Sequence, residues 1–407
     1  MKPTQSSTPP AFKDGVILAF AGTLGPFAAN TYVPAFGEIS AALGVSMVAV
    51  QQSLSLYLLA FAIASLFVGA VSDAFGRRPV LIGATIIFAV ASVGAMMSET
   101  VEALCAWRVL MGICASSGPV LSQAIARDRW QGVDAAKIVA LMAILFGVGP
   151  ALAPIVGGEL TVLFGWRSVF VFLALLSLGI SLTMAVFLKE SLPPERRVSF
   201  RPLATIVRYG SVLRSPPLVA GCVAHGFCFM GLIVYSAGAA DFVIHVLGLG
   251  VDGFGWVMIP FVGISMVGAW LSPKLLARFG STKVVLTGIA VLIASGLLGA
   301  LSEWKWPAMG YPLLIAAPMV YNFAAAAIRP IVNVMNLDYF PRSRGLAASV
   351  QQFCLTSAFC ISSAVLVPLV MGAAWKYCLV MVLGGVVMLL LWLVVLSTRE
   401  KWLPQGD

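Results

Sequence analysis

The sequence predicts an all-α integral membrane protein of twelve transmembrane helices, and three observations predict it. Of its 407 residues 60% are hydrophobic and 10% charged, with a mean hydropathy of +1.00. A soluble domain is about a quarter charged, so this chain cannot supply a polar shell and lipid must cover much of its surface. Apolar runs long enough to cross ~30 Å of hydrocarbon recur from end to end. The basic residues between those runs collect on one side.

The expected spans are 16–37, 48–71, 79–98, 102–125, 137–160, 168–188, 217–240, 254–273, 284–302, 310–335, 345–370 and 376–397. The polar segment 1–15 carries Lys2 and Lys13 and is expected to be a cytoplasmic tail. The apolar run after it is too long for a signal-peptide core and lacks a clear cleavage site, so it reads as an uncleaved first helix. The fifth span is the least regular, because Gly147, Gly149, Pro150, Pro154, Gly157 and Gly158 crowd it. Residues 16–188 form an expected N-terminal six-helix half, 189–216 a linker rich in Pro and Arg, 217–397 a C-terminal half and 398–407 a short tail.

Twelve spans put both termini on one side. Of the 25 Lys and Arg, one set of loops holds only Arg167, Lys305 and Lys376; Arg108 and Arg329 lie inside spans, and the remainder crowd the other side. The positive-inside rule makes that crowded side cytoplasmic. The formal charge of +9 is therefore a topology signal, and nucleic acid is not an expected partner. The seven cysteines form no C-x-x-C pair and sit mostly in apolar runs, as buried thiols acting as small hydrophobes.

The halves look related. Ala74-Phe75-Gly76-Arg77-Arg78 follows the second span and Arg278-Phe279-Gly280-Ser281-Thr282-Lys283 follows the eighth. Paired six-helix repeats are an architecture of secondary transporters, with the site at the repeat interface.

Gly69-Ala70-Val71-Ser72-Asp73-Ala74-Phe75-Gly76-Arg77-Arg78-Pro79 resembles the G-x-x-x-D-x-x-G-R-[RK]-x loop signature of the major facilitator superfamily, between helices two and three on the basic side. Arg108-Val109-Leu110-Met111-Gly112 resembles that family's R-x-x-x-G, and Gly149-Pro150 through Pro154, Gly157 and Gly158 resembles its antiporter motif. Asn30-Thr31-Tyr32-Val33-Pro34, Gln52 to Tyr57 and Gly165-Trp166-Arg167 are similar to drug:proton antiporters of the bicyclomycin/chloramphenicol-resistance type. The resemblance covers the chain. It implies a multidrug efflux antiporter of a bacterial inner membrane, with a role in antibiotic resistance, working by alternating access. It implies a small-molecule cargo, protons as counter-substrate, the proton gradient in place of any cofactor, and a monomer in lipid. It also marks a departure: the related pattern has Asp where this chain has Asn30, and Asn cannot titrate. Either another group carries the proton or the coupling differs.

Candidate gating residues follow from these motifs. Asp73, Arg77, Arg78 and Asp128 can form charge-assisted pairs that lock one state, and Asp73 can instead cap the eleventh helix. Gly69 and Gly76 are expected to allow close approach and a tight turn. Gly149, Pro150, Pro154, Gly157 and Gly158 make the fifth span a close-packing, rocking element; plain helix packing is the alternative.

Arg108 is the most informative single residue, since a charge inside a span is expensive and usually functional. It either faces a cavity or snorkels to the outer interface. Arg329, followed by Pro330 and then Asn333, is a second candidate, or an anchor near the inner boundary. Acids are scarce: Glu38, Glu159 and Asp241 fall near outer ends and read as solvated there. His225 can titrate or simply pack. Asn30, Tyr32, Tyr57, Phe61, Phe146, Phe229, Tyr235, Tyr321, Asn322, Gln351 and Gln352 complete the expected cavity lining. A basic Arg108 with few acids leans toward neutral or anionic cargo.

No nucleophile–base pair or metal cluster is apparent, so neither an enzyme nor a metal site is expected. Gly248 to Gly253 matches G-x-G-x-x-G but has no preceding strand and is read as accidental. A native metabolite such as a siderophore or a sugar or amino-acid derivative is the alternative cargo. A membrane sensor would be expected to carry an added soluble domain.

Overall fold

The computed structural model describes residues 12–130, 152–199, 213–249, 254–305, 310–338 and 344–402, with positions 138, 142, 149, 207, 209 and 210 besides. Among these residues the chain is helical, and ten helices are long and apolar enough to cross a membrane. Leu152–Phe164 and Pro216–Cys228 are shorter apolar helices at the fifth and seventh positions. The twelve-span reading accounts for all of them.

In hydrocarbon every backbone N–H and C=O must find a partner within the chain, so a span stays helical and breaks only where the break is covered. The first span shows this. It runs as Phe12–Thr31, tightens into a 3-10 turn at Val33–Ala35 where Pro34 removes a donor, and continues as Phe36–Leu43. All three residues of that turn are buried. Gly44, at φ +64°, ends it, and Ser46 accepts from the Ala49 N–H to start the second span, Met47–Phe75. The third span is Arg77–Met96, the fourth Val101–Ala115 with Ser117–Arg129, and the sixth Arg167–Phe187. The seventh is segmented as Pro216–Cys228, Met230–Ala237 and Ala239–Asp241, then a π-helical turn at Phe242–Val246. The eighth to tenth are Phe254–Phe279, Ser281–Lys305 and Gly310–Asp338. The eleventh runs Arg344–Ile361, a π-helical turn at Ser362–Leu366, and Val367–Val370; the twelfth is Ala374–Trp402.

We call the end of the bundle at which the first helix begins, at Phe12, proximal and the opposite end distal. Large apolar side chains such as Val90, Leu175, Leu182, Ile259 and Leu298 are exposed on the flanks, as a lipid-facing surface requires. A crevice of about 490 Å³ between the first and sixth spans lies on that flank, lined by Val16, Phe20, Leu175, Gly179 and Thr183 among others. One buried apolar cluster joins the first six spans to Met230–Val257 and Cys360–Val380, so the two halves share a core. A second lies wholly within the C-terminal half.

Candidate functional site

Three helices build the most unusual site, and Gly112 brings them together. A Cβ at Gly112 would collide with the Tyr57 carbonyl oxygen, so only Gly lets the fourth span lie directly on the second. One turn earlier on the fourth span, the Arg108 side chain enters the space between the first and second spans. Its guanidinium carbon sits 4.5 Å from the Tyr32 ring centre and 4.2 Å from the Tyr57 ring centre. Arg108 is 0% exposed. It does not snorkel.

The two phenols are tied elsewhere. Tyr57 Oη donates to the Gly25 carbonyl at 2.8 Å. Ser53 spends its proton on the Val50 carbonyl at 2.7 Å, so Tyr32 Oη donates to Ser53 Oγ at 2.8 Å. Phe36 and Phe170 pack against Tyr32 with ring centres at 4.9 and 5.4 Å, and Phe61 follows Tyr57. The rings are therefore immobile and turn their π faces to the cation. Cation–π attraction is worth ~2 kcal/mol or more at such a desolvated site. Arg108 Nε, Nη1 and Nη2 nevertheless have no hydrogen-bond partner among the described residues. Asn30, two residues before Tyr32, donates to the Pro26 carbonyl at 2.7 Å.

The second span also binds the other half. Gln51 Nε2 donates to Ser363 Oγ at 3.0 Å, Ser55 Oγ to Ser363 Oγ at 3.0 Å, and Gln52 Nε2 to the Ala364 carbonyl at 3.1 Å. Cys360 Sγ reaches the Ser55 carbonyl at 3.2 Å. The π-helical turn of the eleventh span supplies the Ser363 hydroxyl and the Ala364 carbonyl for this closure, and Ala239–Asp241 of the seventh packs on the Val33–Ala35 turn of the first. The distal end is closed by these contacts. Sequence reasoning singled out Gln52 and Ser55 only as part of a motif and missed Gln51 and Ser363.

In the C-terminal half, Arg329 is half-buried with its guanidinium 5.2 Å from the Phe229 ring centre, and it forms no ion pair among the described residues. His225 is buried and lies 5.4 Å from Phe229, centre to centre. Gln351 Nε2 donates to Asn333 Oδ1 at 2.9 Å and lies 3.5 Å from His225 Nδ1, while Asn336 Nδ2 donates to Gln351 Oε1 at 3.4 Å. His225, Asn333 and Gln351 therefore form one polar network, completed by Asn336. Gln352 bonds along its own helix to Thr356.

Three expected lining residues are held by neighbouring helices. Tyr321 Oη donates to the Cys228 carbonyl at 3.3 Å, Asn322 Nδ2 to the Phe261 carbonyl at 2.7 Å, and Tyr235 stacks on Phe261 at 4.8 Å. Each is buried within the C-terminal half, where a span's polar groups find partners on neighbouring helices. Asp241 also departs from expectation. Glu38 and Glu159 are exposed, but Asp241 is 5% exposed and accepts from the Gly372 N–H at 2.9 Å and Tyr377 Oη at 3.0 Å. The segmented seventh span turns it inward. Phe146 and Pro150 lie outside the described residues.

The fifth-span glycines pack as expected. A Cβ at Gly149 would meet Thr23 and one at Gly157 would meet the Thr31 carbonyl, both on the first span; Pro154 and Gly158 are buried.

At the proximal end, Arg77 Nη1 pairs with Asp73 at 2.8 Å and Arg77 Nε with Asp128 at 2.8 Å. Arg78 reaches the Ala185 carbonyl instead. Gly76 makes the turn at φ +98°. Gly69 has open space beside it, so the expected close approach there is not found; helix packing simply does not reach that face. Charges that follow the sixth span complete the cluster. Glu190 accepts from the Arg77 and Arg78 N–H groups at the start of the third span and pairs with Arg197 at 3.9 Å, and the Val198 N–H donates to the Asp73 carbonyl. This docking of residues 190–198 had no signal in the sequence beyond charge.

Comparison with known proteins places this geometry. Residues 18–301 match the Major Facilitator Superfamily. The chain is 29% identical over 332 residues to an uncharacterized MFS-type transporter, YdgK, of Bacillus subtilis, with 78% of this chain and 82% of that one covered. It is 27% identical to multidrug resistance protein D of Escherichia coli, with 82% and 83% covered, and 26% identical to a bicyclomycin resistance protein homolog of Haemophilus influenzae, again with 82% and 83% covered. Among solved structures, a D-xylose–proton symporter superposes with a TM-score of 0.73 at 18% identity, covering 93% of this chain and 97% of that one. The human organic anion transporter MFSD10 does so at 0.67 and 21%, covering 95% and 100%. At such identities these two establish the fold alone. The chain belongs to the Major Facilitator Superfamily, as a multi-pass membrane transporter and not an enzyme.

Proposed function

We propose that this protein exports drug-sized amphipathic compounds across a bacterial inner membrane by alternating access, in exchange for protons, as a monomer with both termini in the cytoplasm. The observation that carries the reading is the division of labour on the second span. Gln51, Gln52 and Ser55 hold the opposite half, while Ser53 and Tyr57, on the intervening positions, hold the Arg108 site. Releasing the distal closure then moves the roof of the site, which is what alternating access needs. The proximal cluster of Asp73, Arg77 and Asp128 is the second gate in this reading. The names of the E. coli and H. influenzae relatives support efflux of drugs, and the charge bias of the loops supports the orientation.

Inverted membrane vesicles with an imposed pH gradient and a pH-sensitive dye test it. Compound-dependent proton movement that requires this protein is the expected result. Silence across a panel of drugs, with normal protein in the membrane, counts against proton exchange.

A further inference from the structure

We infer that the cargo is an organic anion whose charged head is taken by Arg108. The inference rests on the export reading above, and names the class of compound that site accepts.

The argument starts from what a structural arginine does. A guanidinium carries five N–H donors and cannot lose its charge. Where such a group serves only packing, the fold spends those donors on carbonyls or a carboxylate, because an uncompensated buried cation is among the costliest groups a protein can hold. Arg108 is fully buried and none of its three nitrogens has a partner among the described residues. The nearby oxygen atoms are engaged: Tyr57 with Gly25, Tyr32 with Ser53, Ser53 with Val50.

Among the described residues no acid answers the charge. Glu102, one and a half turns earlier on the same helix, is exposed. Asp241, on the seventh-span turn that packs beside Tyr32, directs its carboxylate to Gly372 and Tyr377. Asn30 is uncharged. Cys105 and Cys114 share the helix as free thiols. The rings attract the cation and leave its N–H donors without an acceptor. What the geometry lacks is one oxyanion, and a carboxylate fits the guanidinium fork with two parallel bonds. The same logic disfavours cationic compounds, which would bring a second positive charge into a site that already holds one.

The test uses three naphthalenes of equal shape and different charge: 2-naphthoate, 2-naphthamide and 2-(aminomethyl)naphthalene. Equilibrium dialysis against the full-length protein in lipid nanodiscs should show the carboxylate binding about tenfold tighter than the amide, and the amine weakest. Arg108→Gln should bring the carboxylate down to the amide while the amide stays within about twofold, and Arg108→Lys should retain part of the preference because it keeps the charge and loses the fork. A wild-type protein that binds the amine as well as the carboxylate overturns the inference. So does a carboxylate preference that survives Arg108→Gln, or no binding of any of the three above empty nanodiscs. The vesicle assay separates this from the parent reading. Proton movement driven by the amine and not by the carboxylate sinks the anion site and leaves export standing. Arg108-dependent carboxylate binding without proton movement does the reverse.

Discussion

Arg108 on the fourth span and Arg329 on the tenth occupy corresponding helices of the two halves, and their surroundings are opposite. Arg108 is closed in by two tyrosines whose hydroxyls are tied down, with every donor idle. Arg329 is half-buried over a single phenylalanine, beside a network of His225, Gln351, Asn333 and Asn336 whose members can exchange partners. The same residue type on corresponding helices, early in the fourth span and late in the tenth, thus has an enclosed setting in one half and a polar network beside it in the other. The difference teaches that a charge within a span is not by itself a site. Its neighbours decide whether it is held in wait for a ligand.

Four measurements break or sharpen this contrast. The largest effect is expected at Gly112. Gly112→Val drives the fourth span off the Tyr57 carbonyl, an overpacking cost of about 1–3 kcal/mol, and transport in vesicles should fall to the level of membranes lacking the protein. Normal transport would mean that Arg108 does not depend on that contact. Next come the cations themselves. Arg108→Leu removes an uncompensated buried charge and should raise thermal stability by about 1–4 kcal/mol while weakening binding of the carboxylate about tenfold; Arg329→Leu, half-exposed, should change stability by less than about 1 kcal/mol. A destabilised Arg108→Leu would mark that arginine as structural.

The third concerns the distal closure. Gln51→Leu deletes the bond to Ser363, worth about 1 kcal/mol, and should shift the balance of distal-open and distal-closed molecules about fivefold toward open. Thiol labelling of Cys360, buried in the same closure, reads that population, and unchanged labelling would deny the closure its role. The smallest effect is expected at Gln351. Gln351→Leu breaks the C-terminal network, yet Asn333 is exposed and can turn to water, so transport should drop by no more than about threefold. A loss as large as that at Gly112 would equalise the halves and erase the contrast.

Much of this was legible in advance. Apolar run length and the basic bias predicted the helices, because hydrocarbon imposes both constraints locally on each span. Asp73, Arg77 and Asp128 were legible as a cluster because their motif places them at one membrane face. Arg108 stood out because charge inside a span is rare. Gly69 was misread as a close-approach site, since neighbouring helices, not the span's own sequence, decide which face packs, and the same kind of contact buries Tyr235, Tyr321 and Asn322. Asp241 was misread as solvated because the breaks that turn it inward carry no Pro and look like ordinary helix. Gln51 and Ser363 were passed over, and Ser55 was read only within a motif, because such residues in a span are silent until their partner helix is known.

By itself, then, the sequence determined the spans, their likeness to a transporter family and the presence of an expensive charge, since each follows from the free energy of single segments in lipid. Only the tertiary structure decided that Tyr32 and Tyr57 enclose Arg108, that no acid among the described residues meets it and that the second span serves both site and closure. Those are relations between helices far apart in the chain, set by close packing at Gly112 and by hydrogen bonds more than three hundred residues apart in sequence.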